Sequence, residues 1–271
     1  MYDGRTKTRG EQAASAACHG AIGESAVQAA IRWDASGMLS IAGRPIEALV
    51  FDLGGTLDAD GLSWGERFMR MLAREFPGTS EVALRRAACA GDRAVLSHPR
   101  AAVLGLRAMV HICVRAQLEA LGVQDDRRAE RMTDEFTAAT SRVLESRRPL
   151  LERLASRLPL AVVSNGCGNT GRLLGEAGLA DLFAAVVDSA ECGVRKPDPA
   201  ILAPALTALG KTAKAVAVVG DRLDRDVSCA AAAGAVSVWV CGRGRHRPSA
   251  AGIVPDAAIV RVEELDPEDA S

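Results

Sequence analysis

From Ile46 the chain runs Ile-Glu-Ala-Leu-Val-Phe and breaks into Asp52, Leu53 and the pair Gly54-Gly55, the pattern of a short buried strand emptying into a turn. Residues 1–45 carry no such run. They are rich in Ala, Gly and Ser with scattered acids such as Asp3, Glu11 and Glu24, and they predict a tail or loose helix. The segment lacks both the apolar core of a signal peptide and the acid-poor character of a transit peptide. Met38 lies eight residues before Ile46, so residues 1–37 are expected to be dispensable or to follow a misplaced start. An intact native mass beginning at Met1 contradicts the second version.

Over residues 61–146 the apolar positions follow a helical period: Trp64, Phe68, Met71 and Leu72 share one face, and similar stripes run from Leu104 to Leu121 and from Met132 to Leu144. An inserted all-helical domain of about four helices fits this pattern. After Pro149 helix and strand alternate: helix Leu150 to Leu158, strand Leu160 to Val163, helix Thr170 to Ala177, strand Ala184 to Val187, helix Pro199 to Leu209 and strand Val216 to Val219. An Ala-rich helix ending at Gly234, a strand Val236 to Val240 and a last apolar run Ala257 to Val262 follow. The expected fold class is α/β, a doubly wound parallel sheet built from residues 46–60 and 147–271, with the helical insertion over 61–146. In such a sheet function sits at the carboxyl ends of the strands.

Composition narrows the partners. Of 271 residues 48% are hydrophobic but only 3% aromatic, so the core is Ala, Leu and Val, which suits helices packed on a parallel sheet. The formal charge is −1, without the basic excess of a nucleic-acid or anionic-membrane binder. The most apolar stretch, Val227 to Cys241, is broken by Ser228, Gly234 and Ser237 and falls short of a membrane span. The seven cysteines form no CxxC pair and read as reduced thiols in a cytoplasmic protein. Among 33 basic residues 29 are Arg and four are Lys, so Lys196 in Arg195-Lys196-Pro197-Asp198-Pro199 stands out. Arginine and lysine are not interchangeable where a compact ammonium is needed.

At the predicted strand ends stand Asp52, then Ser164-Asn165, then Gly220-Asp221 with Asp226, while Lys196 lies between the last two. Carboxylates converging on one crevice repel unless a cation lies between them, and an oxygen-rich Asp set suits Mg²⁺ with water and a phosphate. Lys and Ser would then neutralise and hydrogen-bond the phosphoryl oxygens.

These residues resemble four motifs of the haloacid dehalogenase superfamily, mostly phosphatases, with a helical cap inserted after the first strand. Phe51-Asp52-Leu53-Gly54-Gly55-Thr56-Leu57 resembles the first, Val163-Ser164-Asn165-Gly166 the second, Lys196-Pro197-Asp198-Pro199 the third, and Gly220-Asp221 through Asp226 the fourth. The resemblance covers residues 46–262. It implies that Asp52 attacks phosphorus and forms an aspartyl-phosphate that water hydrolyses. It further implies that Ser164 and Lys196 serve the catalytic step and that Gly55, Thr56, Ser164, Asn165 and Lys196 contact the substrate. Asp52, the Gly54 carbonyl, Asp221 and Asp226 would hold Mg²⁺. The resemblance therefore implies a Mg²⁺-dependent phosphohydrolase acting on a small phosphorylated metabolite.

One position departs from the pattern. Phosphatases of this superfamily carry an Asp acid and base two residues after the nucleophile, where this chain has Gly54. A positioned acid or base is worth roughly 10²–10⁴ in rate. Its loss implies a slow enzyme, one restricted to phosphates with good leaving groups, or transfer of the role to Asp58 or Asp60. It also leaves open a metal-independent dehalogenase, or a regulatory protein that binds phosphate without turnover.

Each residue has a plainer reading. Asp52 could end a strand as a turn acid, Ser164 could cap a helix, Lys196 could be solvated, and Asp221 and Asp226 could be helix-start acids. Gly166-Cys167-Gly168-Asn169-Thr170-Gly171, with Asp188 beyond it, matches a dinucleotide fingerprint. That reading leaves Asp52, Lys196 and Gly220-Asp221 unexplained. The loop Arg243, Arg245, His246, Arg247 is expected to be solvated, His111 to be packed in the helical insertion, where His98 also falls, and Cys167 and Cys192 to be small buried side chains.

Overall fold

The computed structural model describes residues 31–242 and 252–268. The strand predicted from Ile46 is β4 (Ala48–Phe51), the centre of a six-stranded parallel sheet. Its companions are β5 (Leu160–Ser164), β6 (Ala185–Asp188), β7 (Val216–Gly220), β8 (Val236–Val240) and β9 (Ala257–Ile259), in the order β6-β5-β4-β7-β8-β9. Leu49, Phe51, Leu160, Val162, Ala217 and Val219 point to one face, while Ala48, Val50, Ala161, Val163, Val216 and Val218 point to the other. A sheet buried on both faces needs apolar residues at every position, which is why these strands read as unbroken runs.

The second face packs against helix α6 (Ala203–Leu209) and helix α7 (Ser228–Ala233), through Ala205, Leu209, Cys229 and Ala230. Helix α5 (Thr170–Glu176) supplies Leu173 and Leu174 to the first face.

Between β4 and β5 the chain forms α1 (Trp64–Glu75), α2 (Glu81–Leu96), α3 (Leu106–Ala120) and α4 (Asp126–Ala155). Ser63 caps α1 by a box with Glu66, whose carboxylate accepts from Ser63 N at 3.0 Å. Phe68, Leu72, Met132, Phe136 and Leu144 of these helices join the same apolar cluster as Phe51 and Leu57. The insertion and the sheet thus share one core.

The boundary placed at 146/147 falls inside α4, which runs 30 residues with Pro149 in its interior. Proline deprives the carbonyl four residues earlier of its partner. Here Glu145 and Pro149 are both exposed, which leaves that turn of the helix open to solvent, and the helix continues.

The tail expectation needs correction for residues 31–45. Ile31–Trp33 (β1), Leu39–Ile41 (β2) and Arg44–Ile46 (β3) form an antiparallel meander, β1 lying within the segment expected to be dispensable. Asp34 accepts from Ser36 N and Met38 N to close the first turn, and Ala42-Gly43, both at positive φ, close the second. Leu39, Ile41 and Ile46 are buried in the shared core, and Trp33 Nε1 donates to Leu265 O at 3.1 Å. Residues 1–30 and the Arg243–Arg247 loop lie outside the described residues. Among the described residues no helix is long and apolar enough to cross a membrane.

Candidate active site

With β5 and β7 on either side of β4, the register sets Phe51 opposite Val162 and Val219, so the residues just past these strands meet at one edge. The carboxylates of Asp52, Asp221 and Asp226 are buried with ligand oxygens all within 4.8 Å of one another. Lys196 Nζ, 3% exposed, donates to Asp52 Oδ1 at 2.6 Å and to Val163 O at 2.8 Å, and lies 2.5 Å from Asp226 Oδ1. Two of these contacts are hydrogen bonds and the third is an ion pair. The surface reading of Lys196 therefore fails.

Close approach is built in by glycines. Gly55 has φ 94°, and a Cβ there would meet Asp221 Oδ2 at 2.6 Å. A Cβ on Gly220 would collide with the Asp226 side chain, whose Oδ2 accepts from Arg222 N at 2.9 Å.

Asn165 holds Lys196 in place. Its Oδ1 accepts from Lys196 N at 2.8 Å and its Nδ2 donates to Lys196 O at 3.0 Å, so this amide, expected to contact substrate, faces the lysine backbone. Ser164 ends β5 and, with Leu53, Gly54 and Asn165, floors a cavity of about 380 Å³. Thr56 is fully buried, and its hydroxyl has no hydrogen-bond partner among the described residues.

Three carboxylates and one ammonium leave two formal negative charges in a site removed from water. Burial, with Asp226 adding to it and Lys196 opposing it, pushes the Asp52 carboxyl up to about 7. Burial works against the charge of Lys196, but Asp226 and Asp52 outweigh it and hold the ammonium above its ordinary range. The donor set is all oxygen, carries a surplus of two charges and suits a hard divalent cation such as Mg²⁺.

Both candidate substitutes for the missing acid have partners, and Asp58 lines the same cavity as Gly54. Asp58 is 2% exposed, accepts from Gly55 N at 2.6 Å and from Trp64 Nε1, and lies 3.4 Å from Arg67. Burial raises its pKa, with Arg67 opposing. Asp60 accepts from the buried Arg147 at 2.6 Å, and that guanidinium also reaches Leu57 O and Glu263. Nothing in the motifs marks Arg147 or Arg67, and Trp64 stands in the sequence only as one member of an apolar helical face. An Arg within an apolar helical stripe was the available signal for Arg147.

The dinucleotide reading is overturned. Asp188, which would have to meet a ribose, accepts instead from Thr170 N, Thr170 Oγ1 and Ala190 N. A Cβ on Gly166 would strike the same carboxylate, so this glycine serves packing around Asp188. His111 is partly buried beside Thr133. Cys167 is partly buried and Cys192 exposed, which corrects the latter's expected burial.

Relatives place the chain further. It is 39% identical over 118 residues to phosphoserine phosphatase of Thermus thermophilus, covering 43% of this chain and 46% of that one. It is 41% identical over 91 residues to glyceraldehyde 3-phosphate phosphatase of Methanopyrus kandleri, covering 32% and 39%. The chain thus spans less than half the length of either relative. Among solved structures, the magnesium-bound HAD-hydrolase YfnB of Bacillus subtilis shares the fold at TM-score 0.53 and 20% identity, covering 81% of this chain and 96% of that one. L-2-haloacid dehalogenase of Xanthobacter autotrophicus does so at 0.51 and 22%, with the same coverage. The profile of haloacid dehalogenase-like hydrolases matches residues 46–234, most of the chain and the strand ends that carry Asp52, Ser164 and Asp221, and the chain belongs to that family.

Proposed function

We propose that this chain is a Mg²⁺-dependent phosphohydrolase that dephosphorylates a small phosphorylated metabolite through an aspartyl-phosphate on Asp52. The observation that carries this reading is the buried group of Asp52, Asp221 and Asp226 around one ammonium, a set whose charge calls for a divalent cation. The phosphatase relatives agree with it. A metal-free dehalogenase has no use for a third buried carboxylate at Asp221.

Asp52, Asp221, Asp226 and the Gly54 carbonyl would hold Mg²⁺, which when bound neutralises phosphoryl charge. Asp52 attacks phosphorus with one carboxylate oxygen. Lys196 orients Asp52 and offsets charge on the phosphoryl oxygens, and Ser164 hydrogen-bonds one of them. The helical insertion acts as the cap that walls the leaving-group side and excludes water.

Mg²⁺ is expected to stabilise the folded protein. At one hundred times its dissociation constant a ligand adds about 2.7 kcal/mol, which for a domain of this size raises Tm by roughly 5–10 °C. Thermal denaturation with Mg²⁺ and with chelator measures this, and Asp221→Asn is expected to remove the shift. The activity test is phosphate release from a panel of phosphate monoesters, lost in chelator and restored by Mg²⁺. Chloride release from a 2-haloacid in chelator, with no phosphate release in Mg²⁺, would falsify the assignment.

A further inference from the structure

The missing acid and the cavity beside it point to one kind of substrate. Gly54 has φ −77° and ψ 108°, ordinary for any residue, and a Cβ there would meet Trp64 Cδ1 at 3.7 Å and Nε1 at 3.9 Å. Neither strain nor crowding therefore requires glycine at this position. The Trp64 indole stands beside the place an acidic side chain would use. It is fixed there: Nε1 donates to Asp58, and the ring meets Phe136 edge-on at 5.2 Å and Phe68 at 6.1 Å.

Val95, Leu96, Leu106, Met109 and Leu144 continue the wall from Trp64 around the cavity of about 380 Å³. Leu96 is 58% exposed, an apolar side chain left open at this cavity. This apolar wall, in a cavity that Asp58, Asp92 and Asn169 also line, suits one aromatic or similarly apolar group. Arg195, Arg222 and Arg225 also line it, but Arg222 is forked onto Asp224 at 2.9 and 2.8 Å and Arg195 and Arg225 are exposed, so none of the three is a buried, pre-positioned anion donor.

Resting on the phosphohydrolase reading, we infer that the substrates are phosphate monoesters of an apolar aryl group, whose alcohol departs as a stabilised anion without a proton from the enzyme. An Asp52 oxygen forms a bond to phosphorus as the bond from phosphorus to the aryl oxygen breaks, and the electron pair leaves on the aryloxide. Water then attacks phosphorus, the bond to Asp52 breaks and the carboxylate is restored. The proton lost by water ends on the aryloxide through solvent. The first step calls for no acid at position 54, and in the second, where the superfamily pattern has a base, the attacking water gives its proton to solvent. Trp64 and the apolar wall hold the ring while it leaves.

The test is kcat/KM of the Mg²⁺-loaded full chain for p-nitrophenyl, phenyl, ethyl and acetyl phosphates. From p-nitrophenyl to ethyl phosphate the value is expected to fall by at least about 10³-fold, since a positioned acid is worth roughly 10²–10⁴. Acetyl phosphate, a good leaving group with no ring, is expected to show a KM at least about tenfold above that of phenyl phosphate. In Gly54→Asp the ethyl ester is expected to gain about 10²-fold or more and the p-nitrophenyl ester less than about tenfold. Ethyl phosphate hydrolysed within threefold of phenyl phosphate overturns the leaving-group inference and leaves the phosphohydrolase reading standing. Equal KM for acetyl and phenyl phosphates overturns the role of the apolar wall. Hydrolysis of none of the four while another monoester of the panel is cleaved in Mg²⁺ overturns this inference alone, and no phosphate release from any of them overturns the parent reading with it.

Discussion

Asp52→Asn is expected to lower phosphate release by on the order of 10⁴-fold or more, as loss of a covalent nucleophile does in other hydrolases. It should do so without unfolding the protein. Asparagine is isosteric, and its Oδ1 can still accept from Lys196, now 2.6 Å from Asp52 Oδ1. The substitution also removes one of three buried like charges, so the formal surplus in the cluster falls from two to one, with Asp221 and Asp226 left against Lys196. In the absence of metal the variant is therefore expected to melt above the wild-type chain, by a few degrees for about 1 kcal/mol. Steady-state phosphate release and paired melting curves check the two signs together. Activity within tenfold of wild type would show that Asp52 is not the nucleophile.

The second large effect is on stability. Lys196→Met leaves the three carboxylates facing one another with no ammonium among them. Breaking a buried ion pair from one side typically costs about 3–5 kcal/mol, because the remaining charge stays buried and uncompensated. Urea unfolding of the metal-free protein is expected to show a loss of that size, with Mg²⁺ restoring part of it. Lys196→Arg should rescue poorly. The compact ammonium donates to Asp52 and Val163 O and pairs with Asp226, and a planar guanidinium cannot meet all three in the same space. A Met variant within 1 kcal/mol of wild type would show that the cluster carries little charge when metal is absent.

The sheet and the residues at its strand ends were readable from the chain because each depends on local pattern. A strand buried on both faces writes itself as an apolar run, and the polar residue after it is the strand end. Asp52, Ser164 and Asp221 were located in this way, and the scarcity of lysine drew attention to Lys196. What could not be read depends on which partner a buried polar group finds in space. Asp58 and Asp60 were equal candidates in sequence, but the first accepts from Gly55 N and Trp64 while the second is bound to Arg147. Asp188 has the spacing of a ribose ligand, and its partner Thr170, 18 residues away, cannot be identified by spacing. The meander at 31–46 was hidden for a different reason. Its second turn is Ala42-Gly43, with Ala42 at φ 50°, where Asn or Asp is the usual signal.

The shared core of insertion and sheet also bears on how the protein can be altered. β4 and β5 are neighbours in the sheet, yet Leu49 and its partner Leu160 are separated by about 110 residues of chain. If the insertion were unfolded, closing that span as a flexible loop would cost roughly 2 kcal/mol more than closing one of fifteen residues. While folded, α1 to α4 hold the two ends of the span near each other. Substitutions in these helices made to change what enters the cavity will therefore also be felt in the pairing of the two central strands. A library built there to alter substrate choice has to be screened for melting temperature alongside turnover.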